Sequence, residues 1–133
     1  MRWLLPVVLA LVLFAAPGCK DDNPISDDSP STVIFPANNV SFGRHVLPLF
    51  TQACALSGCH DDGQHESALK LTSYGAVVYD LPGIVVRNEP DKSTLVFRIE
   101  GRVGARMPPG NRPLNQNQIN GIRTWIAEGA LNN

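Results

Sequence analysis

Two cysteines followed directly by a histidine are the residues of this sequence best suited to chemistry. Cys54 and Cys59 are separated by four residues, and His60 follows the second cysteine at once. Two thiols so placed can add to the two vinyl groups of a haem, and the next imidazole then lies beneath the iron. The trio indicates a covalent haem site, with Cys54 and Cys59 as attachment points and His60 as an iron ligand.

Other interpretations fit the same residues. The common attachment motif has two residues between its cysteines, and the longer gap found here is less frequent. An exported protein could instead join Cys54 and Cys59 in a disulfide. Zinc is a further alternative, with His45, His65 or an acidic side chain completing the ligands. The cysteines could also be buried and inert, with His60 incidental.

A methionine lies in a loop rich in glycine, proline and arginine, over residues 101–113. Met107 is the only methionine that remains if the N-terminal segment is removed, and two prolines follow it. A thioether is a soft ligand for iron and raises the reduction potential when paired with histidine. Because this loop has no helical apolar face for a methionine to fill, we predict Met107 as the second iron ligand, with His45 and His65 as alternatives.

Four arginines lie near that methionine in the sequence: Arg98, Arg102, Arg106 and Arg112. Their charges could neutralise the carboxylates of a haem, or they could dock an acidic redox partner. A solvated basic face is the alternative interpretation.

The elements that would position these residues are helical. An amphipathic helix capped by Ser41 precedes the cysteines and meets Pro48, which should kink it. Ser73 is predicted to cap a short helix. The clearest helix is the last, because Asn115 and Gln118 form a capping-box-like pair before it. Apolar residues recur on one face of that helix: Ile119, Ile122, Trp125 and Ile126.

The first eighteen residues have the layout of a secretory signal. Arg2 precedes an apolar run of about fourteen residues, whereas a membrane-spanning helix needs roughly twenty. Residues 16–19, Ala-Pro-Gly-Cys, resemble a lipobox, in which cleavage leaves a cysteine that carries lipid. We predict a lipoprotein signal over 1–18 and lipidation of Cys19. An ordinary secretory signal with a free Cys19 is the alternative.

Residues 19–38 are predicted to be a lipidated N-terminus and a flexible linker, because they are rich in Asp, Ser, Asn and Pro. Residues 20–22, Lys-Asp-Asp, resemble a signal that directs some lipoproteins to the cell surface, and a solvated linker is the alternative. We expect an exported lipoprotein that is anchored to a membrane through lipid, at the outer membrane and on its periplasmic or cell-surface face. Loss of Arg2 with the signal leaves ten basic and twelve acidic residues, which gives no indication of nucleic-acid binding.

Residues 39–133 are predicted to form one domain, since a chain of 133 residues with 44% hydrophobic composition has room for one globular core. The order of its parts is an amphipathic helix, the cysteine pair with its histidine, the methionine loop and a tryptophan-bearing helix. Six segments carry a family pattern: residues 45–50 (HVLPLF), 54–60 (CALSGCH), 69–71 (LKL), 88–95 (NEPDKSTL), 106–109 (RMPP) and 122–130 (IRTWIAEGA).

Together these segments resemble a small class-I-like cytochrome c domain of the planctomycete type, over residues 43–131. The resemblance implies a mostly α fold wrapped around one covalently bound haem c, with His60 as proximal and Met107 as distal ligand. In many class I cytochromes a proline carbonyl downstream of the motif orients the proximal imidazole, but no proline follows His60 before Pro82. The acceptor for the second nitrogen of His60 is therefore not identified by the sequence.

The leading hypothesis is a monohaem electron carrier that works with an unidentified redox partner protein and is not an enzyme. One alternative is a haem-based sensor or peroxidase-like module, in which Met107 leaves the iron. The other is a haem-free surface module with Cys54 and Cys59 in a disulfide.

Overall fold

The computed structural model describes residues 29–63 and 67–133, and these two ranges are helical with no strand. The α-helices are α1 (Leu47–Ala53), α2 (Tyr74–Val78), α3 (Thr94–Glu100) and α4 (Gln116–Ala127). The predicted mostly α fold is confirmed over these ranges. The predicted signal, Cys19 and His65 lie outside them. In the part of the chain that is described, no helix is long and apolar enough to cross a membrane.

The chain enters α1 through a widened π turn, Phe42–Val46. Ser41 caps this turn, because its side-chain oxygen accepts a hydrogen bond from the backbone N–H of Arg44 at 3.2 Å. Pro48 is the second residue of α1 and directly follows this π turn, and proline is tolerated at so early a helical position. The predicted kink at Pro48 thus takes the form of a π-to-α junction just before the proline.

Helix α4 begins at the predicted capping box. The Asn115 side chain accepts from the backbone N–H of Gln118 at 3.0 Å, and the Gln118 side chain accepts from the N–H of Asn115 at 3.1 Å. The chain leaves the helix at Gly129, whose φ of 98° is a conformation that glycine adopts without strain. Both ends of α4 are therefore fixed by local sequence.

Helices α1, α3 and α4 share one apolar core. Trp125 is fully buried there, and its indole Nε1 donates to the carbonyl of Leu131 at 3.0 Å, so the C-terminal residues close over the core. The other large apolar side chains with at most 1% exposure on these helices are Leu49, Phe50, Val96, Ile122 and Ile126. Full burial of a Val, Leu, Ile or Phe side chain stabilises a fold by about 1.5–3 kcal/mol.

Residues 29–35 pack on the domain as an N-terminal strap. The hydroxyl of Ser29 donates to the Gln118 side-chain oxygen at 2.7 Å, and the Gln118 amide donates to the carbonyl of Ser31 at 2.8 Å. Phe35 is buried in the core. The structure differs here from the predicted flexible linker over 19–38, because serines that suggest a solvated chain have buried hydrogen-bond partners. Residues 19–28 lie outside the described ranges.

Candidate haem site

A cavity of about 600 Å³ lies between the loop after α1, residues 67–71, one face of α3 and residues 107–109. This volume is typical of pockets that enclose a small molecule. Cys54, Cys59, His60 and Met107 all line the cavity, so the fold brings the four predicted site residues together. Most of the remaining wall is apolar and includes Ala53, Leu71, Leu81, Ile84, Leu95 and Ile99.

Cys54 is positioned by the end of α1, because its backbone N–H donates to the carbonyl of Phe50 at 2.8 Å. Burial raises the pKa of the Cys54 thiol to about 12, and the nearby Cys59 adds to the rise. The thiol is therefore uncharged at neutral pH. Cys59 is exposed, and both cysteines are free thiols.

The four residues between the cysteines form a closed turn. The N–H of Cys59 donates to the carbonyl of Leu56 at 2.9 Å, and the N–H of His60 reaches back to the carbonyl of Cys54 at 3.3 Å. The four-residue segment between the cysteines therefore folds back on itself, and both cysteines line the same cavity.

Asp61 is a residue of this loop that the sequence analysis did not identify. Its carboxylate accepts from the backbone N–H of Gly58 at 3.4 Å and from that of Gly63 at 3.3 Å. These contacts brace the turn that carries Cys59. The sequence signal for this role is an aspartate directly after His60, with Gly58 three residues before it and Gly63 two residues after it.

His60 is held by two hydrogen bonds to the segment beyond it. Its Nδ1 lies 2.9 Å from the carbonyl oxygen of Leu69, and its own carbonyl accepts from the N–H of Leu71 at 2.9 Å. A carbonyl can only accept, so Nδ1 carries the proton and Nε2 keeps its lone pair. This arrangement prepares a histidine to bind a metal through Nε2. Because every residue has a backbone carbonyl, the sequence could not identify Leu69 as the acceptor.

Met107 is partly buried in the cavity wall and is fixed from α3. Its backbone N–H donates to the carbonyl of Arg98 at 2.9 Å. The neighbouring Arg106 donates through Nε to the carbonyl of Ile99 at 3.3 Å. The end of α3 therefore holds the loop that brings the thioether to the cavity.

The alternative ligand His45 is not among the residues that line the cavity. Its Nδ1 accepts from the backbone N–H of Ser41 at 3.0 Å, and its ring lies 5.9 Å from that of Phe35. Over residues 29–63 and 67–133, no group of three His, Cys, Asp or Glu side chains is placed to hold a metal ion, so the zinc alternative has no support there.

The four arginines near Met107 have different partners, and only Arg98 lines the cavity. Arg102 forms ion pairs with Glu100 at 2.6 Å and Asp91 at 3.3 Å. Arg112 donates to the backbone carbonyl of Ser29 in the strap at 3.1 Å. The structure therefore separates one arginine from the other three by its position at the site.

The residues present fit a covalently bound haem. The apolar wall suits a porphyrin ring, and Cys54 and Cys59 supply two thiols for its vinyl groups. His60 offers an imidazole whose Nδ1 is already bonded, and Met107 offers a thioether. Both are established iron ligands of haem proteins.

Comparison with known proteins gives the same result. Residues 57–111, about two fifths of the chain, match the family model described as Planctomycete cytochrome C. The matched range includes Cys59, His60 and Met107 and begins after Cys54. Neither the curated proteins nor the solved structures gave a significant match. The match supports a cytochrome c-type domain, a class of haem-binding electron carriers, over residues 57–111.

Proposed function

We propose that this protein is a monohaem electron carrier that is anchored by lipid at Cys19 outside the cytoplasm and performs no catalysis of its own. The observation that supports it best is that one cavity gathers Cys54, Cys59, His60 and Met107. One pair of cysteines in one cavity favours a single haem.

Different cavity residues have different roles in holding the haem. Each of the two thiols, Cys54 and Cys59, would add its S–H across one vinyl double bond of the haem, sulfur to one carbon and hydrogen to the other, so no oxidant would be consumed. His60 would hold the iron through Nε2, with the Leu69 carbonyl keeping the ring in that orientation. Met107 would hold the iron through its thioether. The bound haem supplies a one-electron ferrous/ferric couple.

Electron transfer suits this site better than catalysis does. With His60 and Met107 both on the iron, no coordination position is left for a substrate. The apolar wall excludes water and the thioether favours the reduced state, and both effects raise the reduction potential.

The strap limits how far the domain can lie from its anchor. Cys19 and Ser29 are ten residues apart in the chain, which spans at most about 36 Å even when fully extended. Ser29 is bonded to Gln118 on the folded domain. The redox partner of this carrier is therefore a protein within reach of the membrane surface.

Haem staining of denaturing gels tests the proposal, with the full chain produced in a bacterium that has a haem-attachment system. We expect the wild type to keep its haem through denaturation and the Cys54→Ala plus Cys59→Ala variant to lose it. Cys19→Ala is the matched control, since it also removes a thiol. It should keep the haem but take up no labelled fatty acid, whereas the wild type should incorporate it. A wild type without covalent haem contradicts electron transfer, and a wild type that takes up no labelled fatty acid contradicts the lipid anchor.

A further inference from the structure

We infer that Arg98 is the carboxylate-binding residue of the cavity and pairs with a propionate of the bound haem. This inference rests on the proposed function, because it takes the ligand to be a large apolar ring that carries carboxylates.

Among the described residues that line the cavity, Arg98 is the only lysine, arginine, aspartate or glutamate. It follows Thr94 and Leu95 by one helical turn on α3, so these three residues present one face of the helix to the cavity. A cation beside an apolar wall is costly unless an anion or several acceptors compensate it. Arg98 is half-buried, so a negatively charged partner at this position would gain from the reduced contact with water.

The hydrogen-bonding capacity of Arg98 is largely unused. Its Nη1 donates to the carbonyl of Val103 at 3.3 Å, and a guanidinium has several further N–H groups to give. No carboxylate pairs with Arg98 in the ranges that the structure describes.

Two acidic residues near Arg98 in the sequence already form ion pairs with other arginines: Glu100, two residues further on, and Asp91, in the turn before α3. Glu100 pairs with Arg102 at 2.6 Å and with Arg123 at 3.1 Å. Asp91 accepts from Arg123 at 2.9 Å and from Arg102 at 3.3 Å. These two acids thus neutralise Arg102 and Arg123, whereas Arg98 has no carboxylate partner in the described ranges.

The loop after α3 fixes the guanidinium in place. Gly104 has a φ of 62° and lies directly against the Arg98 side chain, where a Cβ would collide with Nη1. The backbone carbonyl of Arg98 also accepts from the N–H of Met107. Arg98 therefore holds the methionine loop through its backbone and its guanidinium, and it also lines the cavity.

A carboxylate is the anion that this arrangement fits. The planar guanidinium matches two carboxylate oxygens at once, and such a charge-assisted pair is stronger than a neutral hydrogen bond. The cysteine pair selects a haem for the cavity, and the anionic groups of a haem are its propionates.

The midpoint reduction potential of the haem-loaded protein tests this assignment, with Arg98→Leu, Arg98→Lys and the control Arg44→Leu. Arg44 is exposed and is not among the cavity residues. Loss of the Arg98 charge leaves a propionate uncompensated, which favours the ferric state. We expect the equilibrium constant for reduction of the Arg98→Leu haem by a fixed mediator to fall about tenfold. For one electron this is a fall of ~59 mV in the midpoint potential. Arg98→Lys should restore most of the difference, and Arg44→Leu should match the wild type.

The outcomes separate the inference from the proposed function. A haem-loaded Arg98→Leu protein with the potential of Arg44→Leu overturns the role of Arg98 and leaves the electron carrier intact. A wild type that takes up no haem overturns both. If Arg98→Leu does not accumulate, Arg98→Gln replaces it, because glutamine keeps a polar side chain without the charge, and the same fall is expected. A merely structural role of Arg98 would lower thermal stability without this charge-dependent shift.

Discussion

The Nδ1 atom of His60 lies 2.9 Å from the carbonyl oxygen of Leu69. The same short segment returns a second hydrogen bond, from the N–H of Leu71 to the carbonyl of His60. The first bond restricts rotation of the imidazole and, in the neutral ring, keeps the lone pair on Nε2, while the second fixes the backbone of His60. The role that a proline carbonyl has in many class I cytochromes is thus available here from a leucine, and the electron-transfer proposal depends on that orientation.

Replacing His60 by glycine should uncouple haem attachment from iron ligation. Cys54 and Cys59 remain, so the haem stays covalently bound, but the absorption spectrum loses the features of an iron with two strong axial ligands. Imidazole added to the solution should restore them by filling the vacated position. A His60→Gly protein with the wild-type spectrum would show that another residue ligates the iron.

Met107→Ala should open the iron to exogenous ligands. The ferrous wild type is expected to bind carbon monoxide slowly, because the thioether must leave first, whereas the variant should bind it without that step. Val103→Ala, an exposed position in the same loop, is the control. Carbon monoxide binding followed by absorbance gives the rates. Rapid binding by the wild type would favour a sensor or peroxidase-like module instead.

Gly121→Ala should destabilise the domain through the strap. A Cβ at this position would collide with the ring of Phe35, and overpacking of a core typically costs about 1–3 kcal/mol. Gly75→Ala in α2 is the matched control, because its Cβ meets nothing within 4 Å and alanine is the better helix former. Denaturant unfolding gives both free energies. Equal stability in the two variants would mean that Phe35 does not pack on α4 in solution.

Gln118→Leu should release the strap from α4. The Gln118 side chain is fully buried and bonds Ser29, Ser31 and Asn115, and leaving buried polar groups unpaired costs about 1–3 kcal/mol. Limited proteolysis should then cut within residues 29–35. Gln116→Leu, an exposed glutamine on the same helix, serves as the control and should keep the strap protected. Equal protection in both variants would argue against this clamp.

The ion pair between Asp91 and Arg123 should make stability depend on pH in the acid range. Hydrogen bonds and charge from Arg123, and secondarily from Arg102, lower the pKa of Asp91 below its ordinary value of 3.8. A lowered carboxyl pKa stabilises the fold above that ordinary value, and the contribution is lost as the pH falls through the lowered pKa.

Unfolding free energies of the wild type and Asp91→Asn, measured across pH, test this dependence. The difference between them should be constant near neutral pH and shrink below about pH 4. Asp80→Asn, at an exposed aspartate, is the control. A difference that persists unchanged in acid would show that the charge of Asp91 is not what stabilises the fold.

Local signals in the sequence predicted the helices and the candidate site residues. Asn115 and Gln118 predict the start of α4 because a capping box needs only neighbours along the chain. Cys54, Cys59 and His60 are recognisable for the same reason, since thioether attachment and ligation depend on residue type and short spacing. Met107 could be selected because its loop has no apolar face for it to fill.

The tertiary structure alone decided the contacts between distant segments. The Leu69 carbonyl is a backbone group, and every residue has one, so its pairing with His60 leaves no trace in residue types. The serines of the strap suggested a solvated linker. In the structure, however, Ser29 forms a buried hydrogen bond with Gln118, some ninety residues away. The four arginines look alike in sequence, and only the packing of α3 against the cavity separates Arg98 from the rest. Hydrogen bonding and charge pairing act through space, so these relationships require the folded chain.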